Sequence, residues 1–338
     1  MRSTRRKSTR STPRFLVAPD SFKGTLSARQ VAEAIGRGLE SAGATADLCP
    51  AADGGEGTAE ILLDALGGER RTAPAHDPLD RPIDASYALL RDGSEAVVEV
   101  AAASGLSLLD EAERNAERAT SAGTGELIAA AAGEGAGRIL VAAGGSATTD
   151  GGRGAIGAIE AAGGLGDARL EVLCDTSVPF ERAAEVFAPQ KGASAEQVER
   201  LTSRLVAEAG ALPRDPRGRA LTGAAGGLSG GLWAAFGAHL LPGAAFVLGV
   251  VGFDRRLESA NAVITGEGRL DAQSRESKLT GEIARRCRGA RVPCHVIAGE
   301  IALDPKAEAW FGFASLNSAV SPESITGAAE RIAVASAG

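Results

Sequence analysis

The sequence has few aromatic residues, few cysteines and no long hydrophobic run. Aromatic side chains make up 4% of the 338 residues, which leaves little surface for stacking on nucleic-acid bases. The most apolar stretch, 244–251, is far shorter than the roughly 20 residues of a membrane-spanning helix. The four cysteines, at positions 49, 174, 287 and 294, form no Cys-x-x-Cys pair, so neither a disulfide framework nor a zinc site is predicted. We therefore expect a cytoplasmic protein with reduced thiols that binds neither nucleic acid nor membranes.

The net charge of −7 is distributed unevenly along the chain. Residues 1–14 hold six basic and no acidic side chains, and the 30 basic and 43 acidic residues that follow leave a net charge of −13. Such an acidic body repels phosphate backbones, which again disfavours nucleic acid as a partner. We expect residues 1–14 to be a disordered basic tail.

Short apolar runs alternate with amphipathic stretches, as is typical of an α/β protein. Strands are expected at 14–18, 46–50, 83–90, 96–100, 138–142, 170–174, 262–265 and 294–298, and helices at 27–42, 58–66, 125–132, 154–162, 196–208 and 280–288. Both ends of the chain follow the strand, loop and helix order, whereas the middle opens with a hairpin signal at Asp92-Gly93. The termini are therefore predicted to build one discontinuous α/β domain, residues 15–75 plus 256–338. Residues 76–255 would be a second α/β domain inserted into it.

Glycine-bearing loops with carboxylates follow predicted strands at four places, namely 20–24, 53–57, 144–152 and 266–271. Ligands of open α/β sheets bind beyond the carboxyl ends of the strands. Glycine lets backbone N–H groups approach an anion closely, and carboxylates hold a hard cation or accept a proton. Glycine and aspartate are also common in turns, but four such loops together favour a site for phosphoryl transfer.

Two other patterns fit known motifs less well. The G-x-G-x-x-G at 152–157 does not directly follow a predicted strand, as a nicotinamide-binding turn would. The G-x-S-x-G at 227–231 has no predicted strand before it, as a hydrolase elbow would. Small-residue packing around a turn explains the second pattern better, and no Walker A motif occurs.

Nine motifs, taken in order, resemble the bacterial glycerate kinases of the two-domain, non-P-loop type (the glycerate 2-kinase family). They include APDSFKG at 18–24, ADGGEGT at 52–58 and GGSATTDGG at 144–152, and the others lie at 77–82, 99–106, 123–127, 187–193, 223–228 and 263–271. The resemblance implies two α/β domains, one flavodoxin-like and one restriction-enzyme-like, with the active site in the cleft between them. It also implies ATP- and Mg²⁺-dependent phosphorylation of D-glycerate to 2-phosphoglycerate, or to 3-phosphoglycerate. A homo-oligomer is left open.

Candidate site residues follow from these loops. The catalytic candidates are Asp53, Asp150, Lys23, Lys191 and Lys278. The candidates for binding substrate or phosphate are Asp20, Ser21, Gly54, Gly55, Gly144, Gly145, Ser146, Thr148, Gly151, Gly152, Gln190, Gly266 and Glu267. The candidate metal ligands are Asp53, Glu56, Asp150 and Asp271. The residues do not decide which carboxylate is the base and which binds metal.

The chain departs from the family pattern in three places. It is shorter than typical members between Gly152 and Cys174, it differs at 174–180, and SRESKLT at 274–280 stands where many members have a Gly-Lys-Ala-Pro-like loop. These departures leave two alternatives open. One is a kinase of another small hydroxy acid, and the other is a nucleotide-binding regulatory protein that has lost turnover.

Overall fold

A computed structural model describes residues 12–22, 24–271, 274 and 278–337. The described residues fall into two compact units, which we call the terminal unit (within 1–50, 253–272 and 283–338) and the central unit (within 51–252 and 273–282). Residues 51–75, expected in the domain of the termini, group here with the middle of the chain. Of the expected tail, residues 1–11 lie outside the described residues, and Arg14 begins the first strand.

The strands among the described residues are, in chain order, β1 (Arg14–Val17), β2 (Thr45–Leu48), β3 (Gly68–His76), β4 (Pro82–Leu90), β5 (Glu95–Glu99), β6 (Arg138–Ala142), β7 (Arg169–Cys174), β8 (His239–Pro242), β9 (Ala262–Asp271), β10 (Cys294–Ala302) and β11 (Ser315–Ser318). The α-helices are α1 (Ala28–Ser41), α2 (Thr58–Leu66), α3 (Val100–Ser104), α4 (Ala122–Gly133), α5 (Arg153–Ala161), α6 (Ala183–Phe187), α7 (Ala195–Ala211), α8 (Leu228–Phe236), α9 (Gly243–Val250), α10 (Phe253–Leu257), α11 (Leu279–Ala290), α12 (Pro305–Phe311) and α13 (Pro322–Ala337).

The terminal unit contains a parallel sheet in the order β2-β1-β9-β10-β11. Numbered within the unit, this order is 2-1-3-4-5, the flavodoxin-like arrangement. The interior strand β1 is a continuous apolar run because both of its faces are covered, and its Phe15, Leu16 and Val17 are fully buried. Helix α1 begins at a capping box in which Gln30 N–H donates to Ser27 Oγ and Ser27 N–H donates to Gln30 Oε1.

The central unit contains a mixed sheet in the order β3-β4-β5-β6-β7-β8. Strands β3, β4 and β5 pair antiparallel, as the hairpin signal at Asp92-Gly93 predicts, and β5 to β8 pair parallel. Val98, Val141 and Val172 form the core of the sheet together with Leu127 and other side chains of the covering helices. The parallel half of this sheet brings the carboxyl ends of β5 to β8 to one edge.

The α/β fold class is therefore confirmed, and most expected elements are present with shifted ends. The helix at 58–66 and the strand at 138–142 match at both ends, whereas the strand expected at 262–265 continues to Asp271. Strands β3, β8 and β11 were not expected. The G-x-S-x-G pattern lies at the turn into α8, where the Ser229 hydroxyl donates to Leu221 O over 2.7 Å.

Within the described residues, no helix combines the length and apolar character of a membrane span. The apolar stretch at 244–251 lies in and just after α9, an eight-residue helix. The four cysteines are described, all are buried, and none of them forms a disulfide.

Candidate active site

Two glycine-bearing loops lie together near the carboxyl ends of β6, β7 and β8 in the central unit. Loop 144–152 follows β6 and leads into α5, whereas loop 53–57 leads into α2. The two loops are joined by a hydrogen bond from Gly144 N–H to Gly54 O (3.3 Å). Two of the four glycine-bearing loops that the sequence analysis singled out therefore lie side by side in the structure.

Close backbone approach explains why this contact needs glycine. A Cβ atom at Gly144 would lie 2.6 Å from Gly55 Cα, and one at Gly243 would lie 2.2 Å from Asp53 O. Gly54 also has a φ of +97°, which other residues rarely adopt. Side chains at these positions would push the two loops apart.

Asp53 and Glu56 are the carboxylates of the first loop. Asp53 is 4% exposed, and its Oδ1 accepts a hydrogen bond from Gly55 N–H (3.1 Å). Glu56 is exposed. One carboxylate is therefore held against the loop backbone, and its neighbour faces solvent.

Asp150 is bound closely by its own chain. Its Oδ2 accepts from Ser121 N–H (2.9 Å), Ser121 Oγ (2.8 Å) and Gly154 N–H (3.1 Å), and its Oδ1 accepts from Gly152 N–H (3.1 Å). A carboxylate has about four lone-pair sites, so these described donors match its capacity. Asp150 links the starts of α4 and α5, and its role as a metal ligand or base stays a prediction.

Lys191 is a buried cation beneath the second loop. It is 4% exposed, and its Nζ donates to Ser146 Oγ (2.9 Å) and to Thr148 O (2.5 Å). Burial lowers the pKa of Lys191 to about 8, whereas the carboxylates of Asp175 and Asp150 act to raise it. The lysine thus carries positive charge to the loop that follows β6.

Two carboxylates at this edge were missed as site candidates. Asp175 directly follows β7, and a Cβ at Gly144 would lie 3.3 Å from its Oδ2. Glu99 ends β5, and its Oε1 accepts from Ala59 N–H (2.8 Å). Neither residue stands beside a glycine, the feature by which the loops were chosen. A carboxylate within one residue of the end of a predicted strand is the signal that would have found both, since the strands were expected at 96–100 and 170–174.

The terminal unit holds the other two loops together. The strand order of its sheet reverses between β1 and β9, the position where ligands bind in this fold. Asp20 N–H donates to Gly266 O (2.8 Å), and Asp20 Oδ1 accepts from Ser21 N–H (2.6 Å). Asp20 and Glu267 are both buried, at 7% and 9% exposed. The predicted residues Asp20, Ser21, Gly266 and Glu267 are thus gathered, whereas Lys23 lies outside the described residues.

The model of the glycerate kinase family matches residues 15–165 and 160–334 of this chain. The chain belongs to the glycerate kinase family. It is 39% identical over 347 residues to a glycerate kinase of Bacillus subtilis (strain 168), covering 91% of this chain and 90% of that protein. It is 35% identical over 328 residues to the glycerate 2-kinase of Escherichia coli (strain K12), covering 86% of each.

A solved structure shows the same fold. The crystal structure of a protein from Salmonella typhimurium LT2, provisionally described as glycerate kinase 2, superposes with a TM-score of 0.77 at 33% identity. The match covers 96% of this chain and 98% of that one. This member of the glycerate kinase family is accordingly a phosphotransferase with an alcohol group as acceptor.

The remaining candidates of this kinase are more scattered. Gln190 is exposed although its neighbour Lys191 is buried. Lys278 precedes α11, where its carbonyl accepts from Glu282 N–H (3.1 Å). Asp271 ends β9 beside Arg269, whose Nε lies 3.6 Å from Asp271 Oδ2. Among the described residues no three His, Cys, Asp or Glu side chains form a metal-binding group.

Proposed function

We propose that this kinase transfers the γ-phosphoryl group of ATP to D-glycerate in the presence of Mg²⁺, giving 2-phosphoglycerate and ADP. The main observation in its support is that loops 53–57 and 144–152 are in close backbone contact at Gly55 and Gly144. Lys191 donates a hydrogen bond to Ser146 of the second loop. Relatives named glycerate kinase support the acceptor, and the relative named glycerate 2-kinase supports transfer to the C2 oxygen.

The residues of the central unit suit the steps of this reaction. The acceptor hydroxyl oxygen attacks the γ-phosphorus, the bond to the β,γ-bridging oxygen breaks, and ADP leaves. Asp53 is our candidate to accept the hydroxyl proton, and Glu56 and Asp175 are nearby carboxylates of the same edge. Lys191 and the backbone of loop 144–152 would balance the charge of the phosphoryl oxygens.

Mg²⁺ is commonly held by one or two carboxylates, with water and phosphate oxygens completing its shell. Asp53 and Glu56 fit such a set because both are oxygen donors of one short loop and Glu56 faces solvent. When bound, the ion would neutralise charge on the phosphate oxygens. We further infer that Asp20, Ser21, Gly266 and Glu267 of the terminal unit belong to the substrate- or phosphate-binding set.

A coupled ADP-release assay with D-glycerate, ATP and Mg²⁺ tests the proposal, with the phosphate position read by ³¹P NMR. We expect a 2-phosphoglycerate signal and a loss of kcat of at least about 100-fold in Asp53→Asn. Asp167→Asn, an exposed aspartate of the same unit, is the matched control and should keep wild-type kcat.

Other outcomes separate the alternatives. ADP release with another small hydroxy acid, but not with glycerate, would show that this acid is the acceptor and that glycerate is not. ATP binding without product across the whole panel of acids would instead support a regulatory protein without turnover.

A further inference from the structure

Helix α2 begins without a cap from its own sequence. The N-cap residue Gly57 has a φ of +92° and no side chain, and no local side chain caps the helix. The first N–H groups of a helix have no partner within the helix and need an acceptor from elsewhere. Here the helix start is also the end of the loop that carries Asp53 and Glu56.

Glu99 supplies the missing acceptor from 40 residues away. Its Oε1 accepts a hydrogen bond from Ala59 N–H (2.8 Å). The nearby backbone N–H of Gly57 also acts to lower the pKa of this carboxylate. A negative charge at a helix N-terminus is stabilised by the helix dipole as well as by the hydrogen bonds.

The loop is therefore fastened at both ends. Gly54 and Gly55 are locked against Gly144 on one side, and the start of α2 is locked by Glu99 on the other. Glu56 lies between these two anchors.

The carboxylate form of Glu99 suits this role better than an amide would. The N–H of Ala59 donates to it, and a glutamine would keep one oxygen acceptor but bring an NH₂ donor to the same helix start. Burial raises the pKa of Glu99 and the nearby Glu56 carboxylate raises it further, whereas the N–H groups of Ala59 and Gly57 lower it. The positive charge of Arg70 lowers the pKa as well.

We propose that Glu99 is a positioning residue that holds loop 53–57, and with it Asp53 and Glu56, in the arrangement needed for phosphoryl transfer. This inference rests on the proposed function. It concerns a side chain that acts through the loop and does not itself contact the reacting atoms.

The test compares the full-length wild type with Glu99→Gln and Glu99→Ala. We expect kcat to fall about 10- to 100-fold, as for outer residues that orient metal ligands, and the Mg²⁺ concentration for half-maximal rate to rise. The KM for glycerate should change less than about threefold. The loss should be smaller in Glu99→Gln, which keeps the side-chain length and one oxygen acceptor. Amide hydrogen exchange of peptides covering 57–63 should be faster in Glu99→Ala.

Asp304→Ala is the matched control, because Asp304 also caps a helix by accepting from Ala307 N–H (2.6 Å) but lies in the terminal unit. It should lower the melting temperature without changing kcat or the Mg²⁺ requirement. If both Glu99 variants are folded and keep the wild-type kcat and Mg²⁺ dependence, the positioning role of Glu99 is refuted while the proposed function stands. Unchanged exchange of peptides 57–63 would refute the positioning role too. A wild type that phosphorylates no glycerate would refute the proposed function, and the catalytic part of this inference with it.

Discussion

Replacing Lys191 by methionine should change the stability of the protein with pH in a defined direction. In the folded chain burial lowers the pKa of Lys191 from 10.5 to about 8, and in the unfolded chain the ordinary value applies. Between pH 8 and 10.5 the unfolded state therefore binds more protons, so the wild-type free energy of unfolding rises with pH. Below pH 8 the full cost of the buried charge is present, about 3 kcal/mol.

The assay is urea unfolding of the wild type and Lys191→Met at pH 7 and pH 10. Methionine does not titrate, so the difference between the two proteins isolates the lysine. We expect the wild type to gain about 2 kcal/mol relative to the variant over this range. The pH dependence contributed by other groups cancels in the comparison.

Catalytic activity should fall over the pH range in which stability rises. If the cation balances phosphoryl charge, kcat/KM of the wild type falls above pH 8 as Lys191 loses its proton, while stability rises. At pH 7 Lys191→Met should lose about 10²- to 10³-fold in kcat, because Ser146 Oγ and Thr148 O lose their cationic donor. An unfolding difference that stays constant from pH 7 to pH 10 would refute the reasoning.

Further predictions concern the loops and helix ends. Gly144→Ala should cost about 1–3 kcal/mol by thermal unfolding and lower kcat, because its Cβ would meet Gly55 Cα at 2.6 Å. Gly157→Ala, exposed on α5 with nothing within 4 Å of its Cβ, should instead stabilise by about 0.5–1 kcal/mol, and equal effects of the two changes would contradict this explanation. Asp150→Asn should cost about 1–3 kcal/mol in urea unfolding, since an NH₂ group would face backbone donors; an unchanged unfolding midpoint would count against it. Ser27→Ala should cost about 1 kcal/mol and leave kcat unchanged, and a changed kcat would argue that the cap does more than stabilise α1.

Sequence patterns predicted the elements that carry strong local signals. The strand β1 was predicted because burial on both faces requires a continuous apolar run. The turns after β6 were predicted because tight turns favour glycine. Strand β3 was missed because GERRTAPAH at 68–76 carries charges and a proline. These residues suit an edge strand, which is mostly exposed and, among the described strands, pairs with β4 alone.

The site was predicted less completely than the fold. Loops 53–57 and 144–152 were expected, but their contact at Gly55 and Gly144 joins residues about 90 positions apart and leaves no local pattern. The four hydrogen bonds of Asp150 and the capping role of Glu99 could not be predicted for the same reason, because both depend on tertiary contacts. Sequence alone identified acidic residues but not which of them bind their own backbone.

The parallel pairing of β1 with β9 has a consequence for synthesis on the ribosome. Phe15 pairs with Ala262, 247 positions later, so β1 leaves the exit tunnel long before β9, one of its two neighbours, exists. At about 5–20 residues per second, translation of the intervening chain takes roughly 12–50 s. During that time β2 and α1, which follow β1 directly in the chain, are the parts of its final surroundings already made. Nearly all of the central unit, in contrast, is available for folding before the terminal sheet closes.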